Sequence, residues 1–326
     1  MTLSVVIPVY NGAEFIQKSY NSIIDQNVDD FEILYVDNNS TDDSVKHIET
    51  YVAKDERVKL YIQKKQGAAP ARNLGITKAK GDYIYVFDVD DEIYPNALNT
   101  MINVLVQNER LDAVFGRMVK SDVGIDKTEQ PEDTTGKVIL KEKPYWGHLW
   151  FSSLKTVVGP PGFLYRKRVF SKIGMYNEAI KNNEDTALDI KLGMTCDIAF
   201  LDMYVYLYFK HPDSTIEQSK RKMPRAFMIW PRLIHEHVPF HLEHQHDETF
   251  KKLLFSQLFQ AMGKQLYYTK PYRKRRALRN ELIAELQGIK LPLVIRCYLN
   301  ILTVLPYSYV IKFYGYYLVP YIVKKI

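Results

Sequence analysis

The feature that most constrains this chain is a change of period repeated through its first half. Short β-branched runs alternate with segments of helical length. Leu3–Val9, Glu32–Asp37, Val58–Gln63, Tyr83–Asp88 and Ala113–Arg117 read as strands. Ala13–Asp25, Asp43–Ala53, Ala69–Ala79 and Pro95–Gln107 read as the helices between them. Strands joined by helices must run parallel, and a parallel sheet buries both faces. Ser40-Thr41-Asp42-Asp43 offers helix caps, and Pro95 suits a first helical position.

Ligands of such sheets sit beyond the carboxyl ends of the strands. Here those ends are polar: Pro8–Val9–Tyr10–Asn11, Asp37–Asn38–Asn39–Ser40 and Asp88–Val89–Asp90–Asp91. Three carboxylates within four positions repel one another, and a divalent cation relieves that conflict. The competing reading is an acidic turn in which Asp91 and Glu92 cap the next helix. Gln66 to Gly75 offers a glycine turn, helix amides and Arg72, suited to a diphosphate or to a plain helix start.

Residues 118–143 read as a long polar loop. Beyond it, Trp146–Leu154 and Glu184–Met194 read as helices, with Gly162–Tyr165 and Ala199–Phe209 extended. Asn183–Glu184–Asp185 opens a helix, where acidic residues serve the dipole or, in the functional reading, supply a general base. His211 follows the last extended run and is a candidate metal ligand. His235, His237, His241, His244 and His246 match no familiar zinc spacing, and Pro239 interrupts them.

Charge divides the chain. Residues 1–219 carry 25 Lys and Arg against 32 Asp and Glu, a net −7, whereas residues 220–326 carry 19 against 6, a net +13. The second part contains a dense cationic stretch from Lys270 to Arg279, then a Tyr-rich apolar segment, Leu291–Val323, broken by three prolines. It has no uninterrupted apolar run of the roughly 18 residues needed to span a bilayer. An amphipathic anchor on anionic lipid is one expectation for it. A helical subdomain packed on the core, or a homo-oligomer surface, is the other. Nucleic acid is not an expected partner of a cationic stretch beside so apolar a segment. Two cysteines, Cys196 and Cys297, form no disulfide framework or metal motif. With no leader-like N-terminus, they favour a cytoplasmic setting, peripheral on the membrane if the tail is an anchor.

Taken in order, these segments resemble glycosyltransferase family 2 of the GT-A type. Ser4–Asn11 resembles its opening strand, and Val36–Asp42 its second signature. Ala71–Arg72–Asn73–Leu74–Gly75 and Gly81–Asp82–Tyr83–Ile84 lead into the aspartate cluster. Glu184–Asp185 and a His211–Ser214 element complete the likeness, which covers about residues 1–215. The resemblance implies a Rossmann-like mixed sheet flanked by helices in a catalytic domain over 1–219, with a mainly helical extension over 220–326. It implies an inverting, hexosyltransferase-like enzyme using a nucleotide-sugar, commonly a UDP-sugar, and Mn2+ or Mg2+. The acceptor class is a glycan or lipid-linked hydroxyl in bacterial surface polysaccharide synthesis.

By the same resemblance, Pro8, Tyr10, Asn11 and Asp37 hold the nucleobase and ribose, with Arg72 nearby. Asp88 faces ribose or metal, Asp90 and His211 bind the metal, and Asp185 is the base, oriented by Glu184. One departure stands out: relatives often carry Asp-Gly where this chain has Asn38–Asn39. Asn tolerates the left-handed backbone that Gly adopts. A dehydrogenase is disfavoured because no GxGxxG turn follows the first strand. A noncatalytic nucleotide-sugar or lipid-binding module is the remaining alternative.

Overall fold

The computed structural model describes residues 2–211, 224–244, 247–286 and 288–326. The chain divides into two compact units: Met1–Glu178 with Leu188–Ser214, and Ala179–Ala187 with Thr215–Ile326. The 212–214 part of the expected histidine element, His246 and the expected 219/220 boundary lie outside the described residues.

The first unit is built on a nine-stranded mixed sheet. Its strands are β1 (Leu3–Val9), β2 (Phe31–Asp37), β3 (Val58–Ile62), β4 (Tyr83–Val86), β5 (Glu92–Ile93), β6 (Ala113–Ser121), β7 (Val138–Leu140), β8 (Phe163–Arg166) and β9 (Ile198–Phe209). They lie in the order β3-β2-β1-β4-β8-β6-β9-β5, with β7 also pairing β9. β3, β2, β1 and β4 run parallel, as the helical crossovers require. β8 runs antiparallel between β4 and β6, making the sheet mixed.

The helices of this half are α1 (Ile16–Ile24), α2 (Ser44–Val52), α3 (Ala68–Lys78) and α4 (Ala97–Gln107). Successive side chains of a strand point to opposite faces, so both faces of β1 are filled. Val5, Ile7 and Val9 join Ile33, Tyr35, Ile16, Leu98 and Met101 in one core. Val6, on the other face, meets α3 at Gly75, where an added Cβ would stand 2.3 Å from Val6 Cγ1. Further along, Phe115 of β6 packs edge-on to Trp146 and Trp150 of α5 (Tyr145–Ser152).

Two sequence expectations need correction here. Residues 118–143 are not all loop: β6 continues to Ser121, and Val138–Leu140 forms β7. The segment around them is polar, and pairing with β9 is what places both strands in the sheet. Arg117 adds an ion pair of 2.6 Å to Asp202 of β9. Pro95 does not start α4; Asn96, at φ 59°, stands between it and the first helical residue, Ala97.

The second unit is helical. Its longest helix, Glu248–Tyr268, starts where Asp247 Oδ1 accepts a 2.7 Å bond from the amide of Phe250. Tyr314 closes over this helix, donating to the Phe259 carbonyl at 2.9 Å. Gly263 leaves the room: a Cβ there would lie 2.4 Å from the Tyr314 ring. The expected Arg275–Leu286 helix spans Tyr272–Ala284. His237, His241 and His244 serve as packing rings, against Phe250, Phe255 and Phe240 respectively.

Candidate active site

The carboxyl ends of β1, β2 and β4 come together because the three strands are neighbours in the sheet. Tyr10 and Asn11 follow β1, and Tyr10 is 57% exposed. Asn11 adopts φ 50° and accepts at Oδ1 from the Thr41 amide at 2.7 Å, while its own amide donates to Ser40 Oγ at 3.0 Å. Pro8, within β1, is half-buried. Asp37 ends β2 and is buried, accepting from the Ser40 amide at 3.3 Å. Asp43 stands at the N-cap of α2 without a side-chain cap bond, and Asp42, one residue before it, accepts at Oδ1 from the Ser44 amide at 3.0 Å.

Asn38 explains the departure from Asp-Gly. Its buried Nδ2 donates to the carbonyls of Gln63 (2.9 Å) and Lys65 (2.8 Å). Its Oδ1 accepts from the Gly67 amide at 2.7 Å. A carboxylate has no hydrogens for those two carbonyls. Asn39 stands at φ 63°, the left-handed backbone that Gly would adopt at no cost. Gly67 itself has φ 136°, which admits few other residues, and directs the chain into α3.

Arg72 projects from α3 and is 6% exposed. Its guanidinium bonds Asp88 Oδ1 at 2.8 Å and lies 5.4 Å from the Tyr176 ring centre. Asp90 Oδ2 lies 2.9 Å from His211 Nε2. Burial, and then repulsion from Asp88, raise the Asp90 carboxyl above its usual range. Asp91 is raised further by burial and by the charges of Asp90 and Asp88. It does not cap a helix: its Oδ1 accepts from the Phe209 amide at 2.9 Å, pinning the end of β9. Glu92 does not cap one either, pairing in β5 and bonding Lys18 at 2.7 Å.

The residues present fit a divalent cation. Three neighbouring carboxyls, two of them raised by burial, mark a place where positive charge is favourable. Among the described residues no group of three or more His, Cys, Asp or Glu stands ready to ligate. Asp90 and His211, 2.9 Å apart, are the pair that could hold such a cation, with diphosphate oxygens and water completing its shell.

Glu184 and Asp185 stand in the first turn of α6 (Glu184–Thr195), after Asn183 at φ 64°. Both fall in the segment grouped with the second unit. Within that unit the Asp185 charge acts on Arg232, whose guanidinium burial pushes down to about 10 despite Asp185. Sequence reasoning did not single out Arg232. Its signal, an arginine at each end of a short helix, is too common to find it.

The structure thus places Pro8, Tyr10, Asn11, Asp37, Arg72, Asp88, Asp90 and His211 in the first unit, mostly at strand ends, and the carboxylate pair on α6. Polar strand ends on such a sheet are where α/β proteins place their ligands. The chain matches the description "Glycosyl transferase family 2" over residues 4–174, and it belongs to that family.

A Haemophilus influenzae protein described as an uncharacterized glycosyltransferase is 38% identical over 107 residues, 32% of this chain and 43% of that one. The chain thus spans less than half of that relative's length. Glycosyltransferase GlyG of Streptococcus pneumoniae is 28% identical over 218 residues, 65% of this chain and 72% of that protein. The crystal structure of Staphylococcus aureus TarS residues 1–349 shares the fold, with a TM-score of 0.65 at 17% identity, covering 100% of this chain and 92% of that TarS fragment.

Proposed function

We propose that the chain is an inverting glycosyltransferase. It moves a sugar from a UDP-sugar to a hydroxyl of a glycan or lipid-linked acceptor. The observation that carries this reading is the convergence of Asp37, Arg72, Asp88 and Asp90 around adjoining strand ends. TarS, alike in fold, has been crystallised with UDP and with UDP-GlcNAc, which supports a uridine carrier. The reading carries with it the expectation, from the family resemblance alone, of a place in bacterial surface polysaccharide synthesis on the cytoplasmic side.

In this mechanism Tyr10, Pro8 and Asn11 position the base and ribose, and Asp37 accepts hydrogen bonds from the nucleoside. Arg72, held by Asp88, stands beside the phosphates. Asp185 takes the acceptor hydroxyl proton as that oxygen attacks the anomeric carbon from the face opposite the leaving group. The bond from that carbon to the phosphate oxygen breaks, releasing the nucleoside diphosphate and inverting the centre. Glu184 orients Asp185. Bound Mn2+ or Mg2+, held by Asp90 and His211, would supply charge neutralisation at the diphosphate.

A donor screen by nucleotide release with Mn2+ present, followed by acceptor trials, tests the activity. Asp185→Asn should keep donor binding and lose transfer by roughly 100-fold or more. Full transfer in that variant would remove the base assignment. Tight donor binding with no turnover on any acceptor would favour the noncatalytic module instead.

A further inference from the structure

The helices that end the chain have two apolar faces, and packing explains only one. In the helix Leu293–Val304, Ile295, Leu299 and Leu302 are buried. Leu293, Val294, Cys297, Ile301 and Val304 are exposed. The spacing i, i+1, i+4, i+8 and i+11 sets these five along a single stripe, opposite the buried three. The next segment repeats the pattern. Val310, Tyr314, Val319 and Val323 are buried. Tyr309, Phe313, Tyr317 and Tyr321 recur at every fourth position and are exposed, beside Tyr316 at 75%. Large contiguous apolar surfaces on a folded protein mark a binding partner.

Charge identifies the partner. After Glu285 the sequence contains no Asp or Glu, yet it holds Lys290, Arg296, Lys312, Lys324 and Lys325, all exposed. Lys270, Arg273, Lys274 and Arg276 add exposed cations on or beside the preceding helix. Arg275 does not join them; it is buried and bonds the carbonyls of Thr303 (2.8 Å) and Thr269 (3.1 Å). Two copies of such a face would bring like charges together, which opposes self-association. No helix among the described residues is long and apolar enough to cross a membrane. Tyrosine, with an apolar ring and a polar tip, prefers the boundary between headgroups and acyl chains.

We propose that the exposed face of residues 293–325 lies on an anionic phospholipid surface, with its tyrosines at the headgroup level and its lysines and arginines on the lipid phosphates. The proposal stands apart from the sugar-transfer reading, since it rests on this face alone.

Sedimentation of the full chain with extruded vesicles tests it, using phosphatidylcholine with and without phosphatidylglycerol. Binding should need the anionic lipid and fall roughly ten-fold as salt rises from low to about 0.5 M. Joint substitution Tyr309→Ser, Tyr316→Ser and Tyr317→Ser should weaken it on the order of ten-fold or more, with an unchanged circular dichroism spectrum because all three side chains are exposed. A second variant, Lys324→Glu with Lys325→Glu, should lower binding to anionic vesicles without touching the apolar stripe. Absence of vesicle binding, or binding that both variants leave unaltered, would overturn the proposal. So would a stable dimer by light scattering that the tyrosine substitutions dissociate.

Discussion

His211 Nε2 stands 2.9 Å from Asp90 Oδ2 although 121 residues separate them. The contact joins the end of β9 to the turn after β4, and Asp91 repeats the connection by holding the Phe209 amide. If this pair holds the cation, Asp90→Ala should abolish metal-dependent nucleotide binding, and His211→Ala should weaken it about ten-fold or more. Calorimetry with Mn2+ and UDP, repeated with a chelator, measures both. Equal affinities for wild type and Asp90→Ala in Mn2+ would remove the ligand assignment.

Asn38→Asp places a carboxylate against the Gln63 and Lys65 carbonyls in a buried position. Each carbonyl loses its donor and faces negative charge, so the variant should lose at least about 2 kcal/mol. Urea unfolding at neutral pH reads this as a lower midpoint. An unchanged midpoint would mean that the amide does not hold the loops after β2 and β3 together.

Arg57 grips Asp55 with a fork, Nε to Oδ1 at 2.9 Å and an Nη to Oδ2 at 2.7 Å. This hydrogen bonding holds the Asp55 carboxyl down at about 2. A folded-state value below the unfolded one of about 3.9 gives stability that is complete above pH 4 and lost towards pH 2. Because the Arg57 side chain is 41% exposed, solvent reduces the gain to about 1 kcal/mol. Asp55→Asn should cost that much at pH 7, and its deficit should shrink steadily below pH 4. A deficit constant from pH 7 to pH 3 would contradict the assignment.

Burial pushes the Cys196 thiol up to about 11, while Cys297 is exposed. At pH 7.5, a chosen condition of about that value, maleimide should label Cys297 and leave Cys196 unmodified until the protein is denatured. Intact mass gives the count directly. Labelling of both thiols in the native protein would show that the turn leading into β9 opens.

The first half of the fold was legible because its information is local. Leu3–Val9 carries its own period and length, and both faces of its strand are apolar, so the residues alone indicate a buried parallel strand. The position of β8 was not legible: Phe163–Arg166 sits between β4 and β6, and only tertiary pairing decides that order. Met118–Ser121 failed for the same reason, since their place beside Tyr206–Phe209 depends on backbone hydrogen bonds that a polar composition conceals. In the site, the polar strand ends were visible. The division of labour among Asp88, Asp90 and Asp91 was not, because it depends on Arg72, His211 and the Phe209 amide, each distant in sequence.

The amide of Asn38 has a consequence for how the cleft responds to its surroundings. The group that fastens the loops after β2 and β3 carries no ionisable proton, whereas the carboxylates beside it change charge with acidity and with any ion they meet. The bonds that join those two loops are thereby insulated from the chemistry beside them: protons and cations can come and go at Asp88 and Asp90 without breaking them.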